Sequence, residues 1–451
     1  MNISIFLFLL FVLQGLYWLV GFLSSRKVAS HEDYFLAGKQ VRFFPLMMTF
    51  LATQVGGGLV LGAAEEAFSF GWTVLLYPLG AALGLILLGS GTGKRLARFP
   101  VSTVAQIFEV FYGSSFLKKI ASCLSIFSLF LILVAQIVAS SKFVVSLGIT
   151  STPLFLVFWG VVILYTVRGG LKALISTDIA QALVFAIVFL GTFFIILGER
   201  SSLPPLPSWE WASSSVDISK LCGWFFMPLL FMVIEQDMGQ RCFSGESGRV
   251  VSRASLVAGF LTLVICVVPV FLGVWAKQMG IEISSGSSVL MTVISTVTSP
   301  WITALVGCAV LAAIISTATS LMNAISSNLT SDFSWNSQGK TLFFAKMLSG
   351  GISVGALLMA FFCDQIVSLL ILSYELSVSS LFIPIFMALF LKRGSVLAAV
   401  ISMIAGAFGF VVFRIYPLPF PKEIMSVALS LLGYVIVEAM ERRKRSLSAE
   451  I

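Results

Sequence analysis

Apolar residues in this chain come in long runs separated by short polar stretches, and all but one short run, 152–167, are long enough to cross a bilayer. A transmembrane helix needs about 20 predominantly apolar residues. Thirteen such runs fall at approximately 2–23, 43–64, 72–93, 120–146, 152–167, 178–198, 221–240, 250–276, 300–328, 342–363, 365–391, 394–414 and 423–440. The longest polar stretches, near 90–119, 199–220 and 277–299, are too short to build a soluble domain. The pattern predicts an all-α polytopic membrane protein with about 13 transmembrane helices in one domain over residues 1–451. At 58% hydrophobic and 11% charged residues, the composition is far from that of a soluble globular protein, in which about a quarter of residues are charged.

The net charge of +8 is distributed as a topology signal rather than as a nucleic-acid footprint. Cytoplasmic loops collect Lys and Arg, and under a thirteen-span arrangement 22 of the 28 basic residues fall on one side. The minority set is Lys142, Arg200, Lys220, Lys277, Arg414 and Lys422. The N-terminus is therefore expected outside and the C-terminus in the cytoplasm, with the protein in a bacterial inner membrane. The first run lacks a basic leader and is followed by Arg26-Lys27, so it reads as a retained helix rather than a cleaved signal. The six cysteines show no paired or metal-ligand spacing, and His31 is the only histidine. No organic cofactor, nucleic-acid partner or obligate protein partner is indicated.

The second run holds Gly56-Gly57-Gly58 at its middle. Each glycine costs roughly 0.8–1 kcal/mol against alanine inside a helix. In lipid, a backbone that leaves helical geometry is tolerated where it is buried in protein or lines a cavity. Five spans over about 43–198 are followed by five of inverted topology over about 221–391, with 2–23, 394–414 and 423–440 outside the two blocks. Pro228 is the expected breaker of the seventh run. Paired broken helices in inverted halves point to a binding site at the membrane midplane.

The run at 300–328 sets Ala313, Ser316 and Thr317 at i, i+3 and i+4, on one helical face. With the carbonyls freed near Ala52 and Val55, those hydroxyls would complete an all-oxygen cage for a hard monovalent cation. Five acidic residues, at three places, stand in or beside apolar runs and call for an account. Glu375 is deep in its run, where a lone carboxylate costs at least about 2.5–3.5 kcal/mol, so it should pair, neutralise or face water; it reads either as a contact for a solute amine or a proton, or as a hydrogen bond that stabilises helix packing. Glu65 and Glu66 are expected as solvated residues of an outer mouth. Glu235 and Asp237 precede Arg241, which suggests a local ion pair.

Several segments resemble the sodium/solute symporter family, the group of the bacterial proline symporter and the sodium–glucose transporters. Tyr165 to Gln181, YTVRGGLKALISTDIAQ, is similar to the family signature, and Asp33-Tyr-Phe-Leu-Ala-Gly38 to its segment after the first helix. Ser316-Thr317 with the downstream Ser326-Ser-Asn-Leu-Thr-Ser-Asp332 resembles the sodium-site helix, and Gln236-Asp-Met-Gly-Gln-Arg241 the end of the seventh helix. The resemblance implies a LeuT-like fold of inverted five-helix repeats, one helix before and two after. It also implies sodium-coupled import of a small polar organic solute, such as an amino acid like proline or a small carboxylate. It maps sodium ligands to Ala52, Val55, Ala313, Ser316 and Thr317, and an ion exit residue to Asp178. Solute contacts are expected at Gln54, Gly57 and Gly58, and on the seventh helix at Pro228 and Met232. Glu375 remains a possible coupling residue, which keeps a proton-coupled transporter on the same fold as the alternative. A membrane sensor or scaffold would normally carry a soluble signalling domain, and no nucleophile–base set on the spans suggests an enzyme.

Overall fold

The computed structural model describes residues 3–25, 31–198, 216–333, 341–416 and 418–449. Arg26, Lys27, Arg200 and Lys340, which enter the orientation reading, lie outside the described residues. Among those described, regular structure is helical apart from one isolated bridge between Val41 and Gly245.

Helix α1 (Ile3–Ser25) leads through a short α2 (His31–Leu36) into a broken span. That span is α3 (Phe43–Gln54), a non-helical step at Val55-Gly56, a π-type turn at Gly58–Gly62 and α4 (Ala63–Phe70). The chain continues through α5 (Leu76–Leu87), α6 (Gly93–Leu96), α7 (Gln106–Tyr112) and the long α8 (Ser115–Ser146). Helix α9 (Thr152–Gly198) is divided at Gly170, whose φ of 71° and ψ of 169° interrupt the helix between the runs expected at 152–167 and 178–198. Next come α10 (Ile218–Ile234) and α11 (Gln236–Ser244), bent by 45° at their junction, then α12 (Gly248–Gln278), α13 (Val289–Val297) and α14 (Pro300–Asp332). The last elements are α15 (Thr341–Met359), α16 (Ile366–Ser377) continuing into α17 (Ile383–Phe390), α18 (Val396–Ile415) and α19 (Lys422–Ala449).

Serines set several of the starts. The hydroxyls of Ser114, Ser247, Ser299 and Ser395 accept the backbone N–H groups of Leu117, Val250, Ile302 and Ala398. A serine cap is worth about 0.5–2 kcal/mol over alanine, and Pro300 adds a pre-set φ at the first position of α14.

Helix α14 is the axis of the bundle. In its most apolar stretch 89% of residues are buried, against 11% in α1, where Phe8, Phe11 and Trp18 face outward. Lipid is as apolar as these side chains, so their exposure carries no hydrophobic penalty. Among the described residues, nine helices are long and apolar enough to cross a membrane, ten if α10 and α11 count as one bent span. Three shorter apolar helices, Phe43–Gln54, Thr152–Leu164 and Lys346–Phe362, lie in runs read as spans from the sequence.

One expectation needs correcting. Pro228 does not break the seventh run: it lies inside continuous α10, and the break comes at Glu235, with φ −63° and ψ 125°. Transmembrane helices tolerate proline where neighbouring structure re-satisfies the freed backbone. Here Pro228 packs against Gly80 of α5.

Candidate functional site

The glycine triplet is needed because three helices press on it. A Cβ at Gly56 would collide with the Thr317 hydroxyl, and one at Gly58 with the side chain of Leu370. At Gly57 it would stand 2.5 Å from the Ala139 Cβ and 3.1 Å from Gln136 Oε1. The break also frees a backbone donor, and Gly57 N–H donates to Gln136 Oε1 at 2.7 Å. Gln136 is buried on α8. Its lone amide in an otherwise apolar stretch was the available sequence signal for this contact.

Beside the break, Thr317 Oγ1 stands 3.4 Å from Ala52 O, 3.1 Å from Thr53 O and 3.2 Å from Ala313 O. One hydroxyl proton serves one of those carbonyls at a time. Four oxygens from two helices are thus gathered with more lone pairs than protons, an arrangement that suits a hard cation. A cavity of about 10 Å³, lined by Leu51, Ala52, Val55, Gln181, Ala182, Phe185, Ala313 and Ser316, adjoins them. That is about the room one water-sized particle needs. All five residues expected to hold sodium are therefore brought together. The Thr53 carbonyl is an addition that spacing did not reveal.

Ser316 is placed differently from its neighbour. It lines the cavity, but its hydroxyl donates to Asp178 Oδ1 at 2.6 Å. Asp178 Oδ2 accepts from Thr49 Oγ1 at 2.5 Å and from an Arg241 guanidinium nitrogen at 3.2 Å. Arg241 also donates to Ser320 Oγ at 2.8 Å, to Thr49 O and to the Asp237 carboxylate. Asp178, Asp237 and Arg241 are fully buried. Four helices, α3, α9, α11 and α14, meet in this one charged knot. The expected local pairing of Arg241 is present through Asp237, four residues earlier, and extends to Asp178.

Around the knot, segments far apart in sequence converge. Lys172 pairs with Asp33 at 3.3 Å, and Gln240 Nε2 donates to Phe35 O at 2.6 Å. Gln240 Oε1 accepts from Asn323 at 3.3 Å. A Cβ at Gly170, already at positive φ, would strike the Tyr34 ring.

The other expected positions lie apart. Met232 packs on Gly84 of α5, one turn beyond Pro228 on Gly80, so both meet α5. Gln54 is half-buried at the end of α3. Glu375 Oε2 accepts from Arg414 at 2.7 Å. Glu65 and Glu66 are not the solvated mouth residues expected. They pair with Lys142 at 2.7 Å and Lys220 at 3.0 Å, with side chains only 18% and 14% exposed. Four members of the minority basic set, Lys142, Lys220, Arg414 and Lys422, thus have carboxylate partners, that of Lys422 being Glu423.

The family model of the sodium:solute symporter family matches residues 34–203. Over those residues the chain resembles that family. It is 23% identical over 387 residues to solute carrier family 5 member 4 of Rattus norvegicus, covering 72% of this chain and 56% of that protein. To the sodium/pantothenate symporter of Haemophilus influenzae it is 21% identical over 303 residues, covering 63% and 62%. The chain thus spans about three fifths of the length of these two relatives. Among solved structures, a Na+-coupled sialic acid symporter superposes with a TM-score of 0.77 at 19% identity, covering 97% of both chains. MHP1, a nucleobase-cation-symport-1 family transporter, gives 0.62 at 14% identity, covering 93% and 96%. The fold is the LeuT-like one of those transporters, in an integral, multi-pass membrane protein. The named relatives are transporters, not enzymes.

Proposed function

We propose that the protein is a sodium-coupled symporter that imports a small polar organic solute by alternating access, with its N-terminus outside and its C-terminus in the cytoplasm. The observation that carries this reading is the set of neutral oxygens around Thr317 Oγ1, set directly against the break at Val55-Gly56. Sodium held by the carbonyls of Ala52, Val55 and Ala313 and the hydroxyls of Ser316 and Thr317 would join α3 to α14. That would fix the broken helix in the form that presents Gln54, Gly57 and Gly58 to a solute.

Asp178 sits on the other side of Ser316, so an ion leaving the cage inward meets this carboxylate next. Arg241 holds Asp178 and Asp237 together, and opening an inner path between α3 and α9 would loosen that knot. The repeat boundaries, 43–198 and 221–391, belong to the same proposal. Each charge moved through 100 mV supplies about 2.3 kcal/mol, enough for roughly 40-fold accumulation at 1.4 kcal/mol per tenfold.

The test is uptake of a labelled panel of amino acids and small carboxylates into proteoliposomes, under an inward sodium gradient or an equal potassium one. Accumulation with sodium alone supports the reading. Accumulation driven by a proton gradient with no sodium requirement overturns it in favour of proton coupling. Within a sodium-driven assay, Thr317→Ala should raise the half-saturating sodium concentration about tenfold, equivalent to about 1.4 kcal/mol, with little change in protein yield. Unchanged sodium dependence would remove Thr317 from the site.

A further inference from the structure

A second polar cavity, of about 360 Å³, opens between α10, α16, α18 and α19, away from the oxygen cage. Its chemistry comes chiefly from Asp217, Lys220, Glu375, Arg414, Lys422 and Glu423, with Trp224 as its aromatic wall. Three carboxylates face three cations, so the cavity has no net preference for an anion or a cation. Its size lies within the range of small-molecule sites.

One group in it is left incomplete. Glu375 is 1% exposed, its Oε2 is held by Arg414, and its Oε1 is buried with no hydrogen-bond partner. An orphaned carboxylate oxygen costs more than a neutral one. The other carboxylates are engaged differently: Asp217 caps Ser219 N–H, and Glu423 accepts from the Ser219 hydroxyl at 2.7 Å. Arg414, by contrast, keeps 36% of its side chain exposed, and it has more N–H donors than the Glu375 contact uses. The cavity therefore offers a buried acceptor beside an accessible cation.

Helix α16 separates this cavity from the glycine break. Ser368, Ile371, Leu372 and Glu375 line the cavity, while Leu370 meets Gly58 and Tyr374 packs on Phe231 with tilted rings 4.5 Å apart at their centres. Two faces of one helix thus serve two places.

We propose that this cavity is a second binding site, for a primary ammonium group that carries an anionic group a few bonds away. The ammonium sits on Glu375 Oε1, and the anion faces Arg414. Two sources share that chemistry, a free amino acid and the headgroup of an ethanolamine phospholipid. Binding here needs no sodium, so the site stands or falls apart from the coupling reading above.

The experiment uses the full-length protein in phosphatidylcholine nanodiscs in potassium buffer, following the fluorescence lost on Trp224→Phe. Alanine should give a saturable change, ethanolamine a weaker one and propionate none. Glu375→Gln should weaken alanine binding about tenfold or more, as loss of a charged hydrogen-bond partner does, while Glu375→Asp retains part of it. Nanodiscs of phosphatidylethanolamine separate the sources. If the headgroup is the ligand, free alanine gives no response there, and the fluorescence of the unliganded protein differs from that in phosphatidylcholine; if not, alanine titrates alike in both. If alanine fails to bind in phosphatidylcholine and the two lipids give the same fluorescence, the proposal is overturned. A response equal to wild type in Glu375→Gln overturns it as well. Should that variant not fold, the alanine, ethanolamine and propionate comparison on wild-type protein decides alone.

Discussion

Arg241→Met is expected to destabilise the folded protein by about 3–5 kcal/mol, the usual cost of leaving buried carboxylates without their cation. Arg241 is the guanidinium between Asp178 and Asp237, and all three side chains are removed from solvent. It also donates to Thr49 and Ser320, so its loss orphans acceptors on α3 and α14 too. Thermal unfolding of the purified protein, followed by the loss of the monodisperse peak on size exclusion, reads the effect. Asp178→Asn should cost far less, because Arg241 keeps Asp237. The double variant should lose less than the sum of the two single losses, since the groups form one network. Additive losses, or an unchanged midpoint in Arg241→Met, would mean that the knot is not a unit. In transport, Asp178→Asn should slow turnover more than it weakens solute binding, and equal loss of both would give Asp178 a purely structural role.

The sequence made the broken helix legible because three adjacent glycines in an apolar run have few other uses. The contacts that require them, from Ala139, Thr317 and Leu370, are brought there from other helices and leave no local trace. The Ala313, Ser316 and Thr317 face was visible as helical spacing. Spacing could not tell that adjacent hydroxyls part company, with Thr317 toward the Ala52 and Thr53 carbonyls and Ser316 toward Asp178. The reading of Pro228 as the breaker failed for a related reason. A membrane helix passes through a proline when a neighbour such as Gly80 makes room for the ring, and the bend came instead at Glu235, a residue with no breaker chemistry. Glu65 and Glu66 looked solvated because their partners, Lys142 and Lys220, lie 77 and 154 positions later in the chain (142 − 65 and 220 − 66).

Gly57→Leu is expected to abolish solute uptake while leaving membrane insertion and yield near normal. Insertion depends on the hydropathy of the run, which a leucine raises. Function depends on the gap, and the Gly57 Cβ position already stands 2.5 Å from the Ala139 Cβ and 3.4 Å from Ile314 Cγ1. The Ala139 contact is to a rigid methyl group that has no rotamer to yield, so the added side chain must push α8 away from the broken helix. That movement would break the 2.7 Å bond from Gly57 N–H to Gln136 and displace the carbonyls of the same break that face Thr317. Gly57→Ala should show the same defect in reduced form, and raising sodium should rescue neither, because the fault lies in the backbone and not in ion affinity. Sodium-driven uptake into proteoliposomes, normalised to reconstituted protein, measures it. An active Gly57→Leu variant would show that the close approach of α8 to the glycine break is dispensable for transport, and with it the assignment of the solute site to this gap.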